Sequence, residues 1–368
     1  MGNDGRKSIV TSATWRLSKT HTILGVVLMA PLLVTTVTGI LLGWYDQLRY
    51  ATKPYGLSSP WEARLSPTAL VAAIEDRYPN HRLEILFMAI ESSRAVRAKL
   101  GSPSPLTLFV HPATGAVLDA RTPAQRDWVD LLYDLHPGKT FGLAGQVTTA
   151  VTALGIAVLW GLGMAMWYVR CANGVRTVPA LSWRMTAFHR WAGFWLGLPL
   201  IVLTGLGAAL NFAGSLIATF DPPPKVIPVG PRPSPLDFAS LAETHAPLYR
   251  PAPLERIIFP KQDSDPVQLR YADGGWMFLD GYRGRVLDIK GPLAHWTRSL
   301  YPMHRGRFFG FGGPWLVACL GLVLLTAVMT GIIFSWRLRS RFRPRDRKKV
   351  PGDEFPRPTE HSSMRSSP

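Results

Sequence analysis

Nine histidines are spread over 368 residues, and four of them fall into register when the chain is slid along itself by 168 positions. His21 then meets His189, and His136 meets His304; the other five histidines meet other residue types. A neutral imidazole keeps a lone pair on one ring nitrogen, so two imidazoles at one level can grip a metal centre from opposite sides. The question for the rest of the chain is whether it places each pair at one level.

The same shift aligns Trp15 with Trp183, Arg16 with Arg184, Gly25 with Gly193, Pro31 with Pro199, Thr36 with Thr204 and Gly39 with Gly207. Around the second pair it aligns Tyr133 with Tyr301, Gly138 with Gly306 and Gly145 with Gly313. Matching flanks of this kind indicate a tandem duplication, and the period is too long for a solenoid. Each half carries one histidine near its start and another 115 residues later.

Each half begins and ends in an apolar run, at about 22–44, 141–168, 190–219 and 311–336, free of Asp, Glu, Lys and Arg except Arg190. Each exceeds the ~20 residues needed to cross a bilayer. Four transmembrane helices are predicted. The first run continues into Trp44 and Tyr45 without a small-residue cleavage site and reads as a retained anchor.

The formal net charge of +17 is unevenly spread. The N-terminus, the segment between the second and third runs, and the tail together hold eighteen Lys/Arg against five Asp/Glu; the two long loops hold 23 against 19. Cationic short segments belong in the cytoplasm, which places both termini inside and both long loops outside. The tail "RLRSRFRPRDRKK" reads as a topology signal facing anionic lipid, and its sparse stacking aromatics argue against nucleic acid.

The division that follows is a cytoplasmic N-terminus (1–20), a first span (21–45), a first external lobe (46–140), a second span (141–169) and a cytoplasmic loop (170–189). A third span (190–219), a second external lobe (220–310), a fourth span (311–336) and a basic cytoplasmic tail (337–368), disordered beyond Pro351, complete it. In each lobe a Ser-Pro pair, Ser66-Pro67 or Ser234-Pro235, opens one amphipathic helix, and about four short strands follow. The expected architecture is therefore an α-helical membrane protein with two small α+β lobes outside.

Depth now pairs the histidines. His21 and His189 fall at the cytoplasmic ends of the first and third spans; His136 and His304 fall at the external ends of the second and fourth. A bis-imidazole cage for b-type haem needs two histidines at one level on different helices with small residues beside them, here Gly25 and Gly193. Two such haems are expected. Neither cysteine, Cys171 or Cys319, supports a disulfide or a metal site, and the chain shows no phosphate-cradling loop, zincin motif or serine nucleophile elbow. No residue is assigned a catalytic role.

The segments "THTILGVVLMAPLLVTTVTG" and "FHRWAGFWLGLPLIVLTGLG", with "LYDLHPGKTFGLAG" and "LYPMHRGRFFGFGG", resemble the PepSY-associated transmembrane family, described as iron-regulated membrane proteins or ferric-siderophore reductases. The turns "HPATGAVLDA" and "LDGYRGRVLDI" look like the ends of PepSY lobes. The resemblance covers about 15–340 and implies an inner-membrane oxidoreductase that passes electrons outward to a periplasmic acceptor, typically ferric iron held by a siderophore. With no nicotinamide or flavin fingerprint in the chain, a quinol or a separate reductase is the expected donor. If electrons leave outside, the acceptor is expected to dock beside the outer pair, near Tyr133, Tyr301, Arg305 and Arg307. Two other classes remain open: a non-redox membrane module whose lobes bind or inhibit an external peptidase, and a metal or siderophore transporter. Spans without buried carboxylates and repeats of parallel sense argue against the transporter.

Overall fold

The computed structural model describes residues 3–51, 63–89, 94–174 and 184–341. The basic tail beyond Arg341, including the segment expected to be disordered after Pro351, lies outside the described residues, as do Trp183 and Arg176.

Among the described residues four helices are long and apolar enough to cross a membrane. They are α1 (Asn3–Leu42), α5 (Gly142–Ala172), α6 (Met185–Leu210) and α10 (Gly313–Arg341). A helix satisfies its own backbone, which a bilayer core cannot do for it. Helix α1 packs on α5 and α10, and α6 packs on the same two, so α1 and α6 face each other across the bundle. Leu28 and Leu32 of α1 meet Ile156 of α5, Ile201 of α6 and Leu324 of α10 in a central apolar plug.

The third span is shorter than the apolar run suggests. Helix α6 stops at Leu210, and after a turn the chain continues as α7 (Ala213–Phe220). Asn211 Nδ2 donates to Gln146 O at 3.3 Å, tying the turn to α5 in an otherwise apolar stretch. A short helix also follows the first span, α2 (Tyr45–Ala51).

Outside the bundle the first long loop forms α3 (Pro67–Arg77), β1 (Leu83–Phe87), β2 (Val96–Leu100), β3 (Leu106–Val110), β4 (Val117–Arg121) and α4 (Trp128–Leu135). The second forms α8 (Pro235–His245), β5 (Leu254–Ile258), β6 (Val267–Tyr271), β7 (Trp276–Asp280), β8 (Arg285–Lys290) and α9 (Trp296–His304). Ser66 and Ser234 cap α3 and α8, with proline in the first turn of each, as the sequence predicts.

The two expected lobes are joined into one unit. All eight strands form one antiparallel sheet in the order β4-β3-β2-β1-β5-β6-β7-β8, joined where β1 pairs β5 through Ile85–Ile258, Leu86–Ile257 and Phe87–Arg256. Apart, β1 and β5 would each be an open edge with unpaired backbone groups; together they satisfy one another. Helices α3 and α8 lie side by side on one face, where Thr68 Oγ1 donates to Glu243 at 2.7 Å, over a core that includes Leu70, Ile74, Phe238, Ile257 and Leu269. Strand alternation turns Arg97, Arg256, Arg270, Phe87 and Trp276 to the opposite face.

Candidate functional site

The four repeated histidines come together as the depth argument expects. His21 of α1 and His189 of α6 have ring centroids 6.2 Å apart, and His136 and His304 have theirs 6.1 Å apart. With metal–imidazole bonds of about 2.0–2.1 Å and ring nitrogens about 1.1 Å from the ring centre, two imidazoles on opposite sides of one ion have centroids ~6.3 Å apart. Both separations match that spacing.

The outer histidines are positioned by glycine. His136 caps the end of α4, and Gly138, at φ +80°, turns the chain into α5. A Cβ at Gly138 would lie 2.3 Å from Gly145 O, and one at Gly306 (φ +68°) 2.7 Å from Gly313 O, so the turn needs glycine in both halves. The imidazoles then lean onto the opposed spans. A Cβ at Gly39 of α1 would stand 2.8 Å from His136 Cε1, and one at Gly207 of α6 would stand 2.8 Å from His304 Cε1.

Hydrogen bonds fix which ring nitrogen is available. His136 Nδ1 donates to Thr35 O at 2.9 Å, His304 Nδ1 to Leu203 O at 2.9 Å, and His189 Nδ1 to Ala327 O at 3.1 Å. A carbonyl only accepts, so each Nδ1 carries the proton and each Nε2 keeps its lone pair, the arrangement of a metal-ligating histidine. Thr38 Oγ1 lies 3.2 Å from His136 Nδ1 and Thr330 Oγ1 lies 3.1 Å from His189 Nδ1, each as a second acceptor. The hydroxyl thus falls on a different half of the chain in each pair. His21 Nδ1 is buried near the Leu159 backbone, without a hydrogen bond of good geometry.

The outer pair borders a cavity of about 470 Å³ whose other walls are Thr36, Gly39, Thr204 and Gly207 of the spans, Tyr133 and Tyr301, and Arg270, Trp276, Arg298 and Arg305 from the sheet and α9. The volume falls within the range of cofactor pockets. The two aligned threonines differ: Thr204 Oγ1 donates to Leu200 O at 2.8 Å, whereas Thr36 Oγ1 is buried beside the cavity without a partner.

Other expectations separate. Tyr133, Tyr301 and Arg305 line the cavity, and Arg305 Nη1 donates to the Tyr301 hydroxyl at 2.9 Å. Arg307 turns instead to Glu255 at 3.5 Å, outside the lining. A Cβ at Gly25 or Gly193 would meet nothing within 4 Å, which leaves open space beside the inner histidines. The Trp160 indole enters the notch at Gly197, within the bundle. His111 and His295 are turn and cap residues, accepting from Ala113 N and Thr297 N.

Sequence reading missed Arg270, Trp276 and Arg298. None repeats under the shift, which pairs them with Ser102, Leu108 and Asp130; the available signal was arginine on the non-core face of the strand VQLRY. The buried ion pairs under the sheet are also reversed between halves. Arg49 of α2 meets Asp130 of α4, whereas Arg298 of α9 meets Asp221 beyond α7.

Among the described residues no cluster of three or more His, Cys, Asp or Glu side chains could hold a metal ion. Each site therefore offers two imidazoles and no further protein ligand of these kinds. A family model described as PepSY-associated TM region matches residues 6–170 and again residues 186–353. None of the curated proteins compared with the chain matches it.

Proposed function

The chain belongs to the PepSY-associated TM region family, and on that premise we propose that it is an electron carrier of the bacterial inner membrane, a tandem duplication holding two bis-histidine b-type haems. His21 and His189 hold the inner one, His136 and His304 the outer one, and both termini are cytoplasmic. The observation that carries this reading is the pair of ring separations, 6.2 and 6.1 Å, at two levels of one bundle. Two protein donors suit a macrocycle that brings four nitrogens of its own; a bare zinc or calcium ion would need more.

The bound haem would supply reversible one-electron exchange at its iron. The chain's residues do the rest. His136, His189 and His304 present Nε2 because a backbone carbonyl holds the Nδ1 proton. The glycines at 39 and 207 admit the outer imidazoles, and those at 25 and 193 leave the inner level open. Along α1 and α6 the levels are separated by 18 residues, His21 to Gly39 and His189 to Gly207, or about 27 Å of helix. The plug of Leu28, Leu32, Ile156, Ile201 and Leu324 between them presents only apolar side chains, which disfavours water and ions there and leaves electrons as the charge that would cross.

The direction is outward, to a ferric iron chelate of the siderophore type, which gains one electron and becomes ferrous. A quinol or a separate reductase supplies the electron at the cytoplasmic side. Tyr133, Tyr301 and Arg305 form the acceptor's side of the outer site. The test is the absorption spectrum of the purified protein reduced with dithionite. Low-spin b-type bands at two haems per chain are expected; a colourless protein from haem-replete cells would overturn the reading.

A further inference from the structure

The cationic roof of the outer cavity is larger than the proposed electron path requires. Arg270 projects from β6 into the cavity lining, its side chain 12% exposed, and its Nε has no hydrogen-bond partner. Its nearest carboxylate, Glu255 Oε2, lies 3.6 Å away and is shared: Arg307 approaches the same oxygen at 3.5 Å and Arg256 holds Oε1 at 2.9 Å. One carboxylate thus serves three guanidinium groups. Arg298, which also lines the cavity, is taken up by Asp221 through its Nε and by Asp221 O at 2.9 Å.

A buried guanidinium costs several kcal/mol of hydration unless charge and hydrogen bonds replace it. The surroundings of Arg270 replace it only in part. The rings of Trp276 and Tyr301 lie 5.3 and 5.0 Å from its guanidinium carbon, which orients the group without neutralising it. Burial first, and Arg256 next, lower its pKa to about 10, which leaves it charged at neutral pH. Beside it stands Arg305, with Tyr301 OH as one acceptor, on the same cavity wall. A fixed fork of donors, held by aromatic rings and short of anions, matches a carboxylate in geometry and charge.

We propose that Arg270, with Arg305, is a carboxylate-binding site in the roof of the outer cavity. Two sources supply such a group: the carboxylate side arms of a tetrapyrrole held between His136 and His304, or a free polycarboxylate chelate entering from outside. The first rests on the proposed function; the second does not.

The experiment compares full-length wild type with Arg270→Gln and Arg270→Lys in detergent, with the inner haem as the internal control for folding. Transfer of the outer haem to apomyoglobin is timed, its midpoint potential is read by redox titration, and citrate binding is measured by calorimetry. For a side-arm carboxylate, Arg270→Gln releases the outer haem roughly tenfold to hundredfold faster and lowers its potential, while Arg270→Lys keeps part of both. For a free polycarboxylate, haem release is unchanged and citrate binds wild type roughly tenfold or more tighter than Arg270→Gln. Unchanged release, potential and citrate affinity in a variant that retains the inner haem overturn the inference. A wild type without haem sinks the proposed function, and citrate affinity then decides the site alone.

Discussion

The inner and outer histidine pairs have nearly the same ring separation and are built by different means. The inner imidazoles belong to the spans themselves, at His21 on α1 and His189 on α6. The outer ones hang from short helices that reach the spans from outside, each pressed against a glycine and held under a sheet rich in arginine. The inner site therefore inherits its rigidity from the bundle, and the outer site borrows it from turns, glycine notches and buried ion pairs. That difference makes the outer site the more easily disturbed and the more easily tuned.

The largest expected effect tests whether the pairs are separate units. If each pair holds one haem, both of its imidazoles are needed, so His21→Ala and His189→Ala should each remove one and the same haem signal, and His136→Ala and His304→Ala the other. Reduced-minus-oxidised spectra that showed either pair contributing to both signals would dissolve the comparison.

Next comes the support under the sheet. Asp221→Asn strips the carboxylate from buried Arg298 and should cost about 3–5 kcal/mol, disturbing the outer signal and leaving the inner one. Burial alone would raise the Asp221 pKa, but Lys290 and Arg298 overcome it and hold it below the usual carboxylate range. A depressed folded pKa gives a contribution complete above about pH 4, lost as pH falls through the folded value. Acid titration should thus disturb the outer signal more in wild type than in Asp221→Asn, which has already lost the contribution.

Glycine substitutions sharpen the contrast. Gly39→Val or Gly207→Val drives a side chain into an imidazole and should cost about 1–3 kcal/mol with loss of the outer signal. A Cβ at Gly25 or Gly193 meets no protein atom, so in Gly25→Ala and Gly193→Ala thermal melting should hardly move while the inner signal falls if a macrocycle fills that space. An inner signal untouched by either would remove those glycines from the site.

The smallest effects lie in the hydroxyls. Thr38→Val and Thr330→Val each remove one acceptor from an Nδ1 proton, about 1 kcal/mol, which raises the potential of one haem by some tens of millivolts. Redox titration should assign Thr38 to the outer and Thr330 to the inner centre.

The spans, the capped helices and the pairing of the histidines were legible because each rests on a local or periodic signal. Apolar runs announce helices, Ser66-Pro67 and Ser234-Pro235 announce their own starts, and the repeat carries depth. The end of α6 was not legible, since Asn211 and Phe212 break the helix inside a run that stays apolar to Phe220. The β1–β5 junction was hidden because an edge strand does not state its partner. Arg270 and Arg298 were hidden because their roles depend on what the two halves do not share.

That junction has a consequence in the language of assembly. Strands β1 and β5 meet antiparallel at the centre of a sheet whose order reads outward alike on both sides, and α1 faces α6 across the bundle. The strand order and the facing of α1 and α6 resemble the arrangement within an isologous dimer, here formed by one chain. Within one chain such an arrangement carries no obligatory symmetry. Arg270 can then occupy one side alone, giving an otherwise two-faced cavity a single polar end.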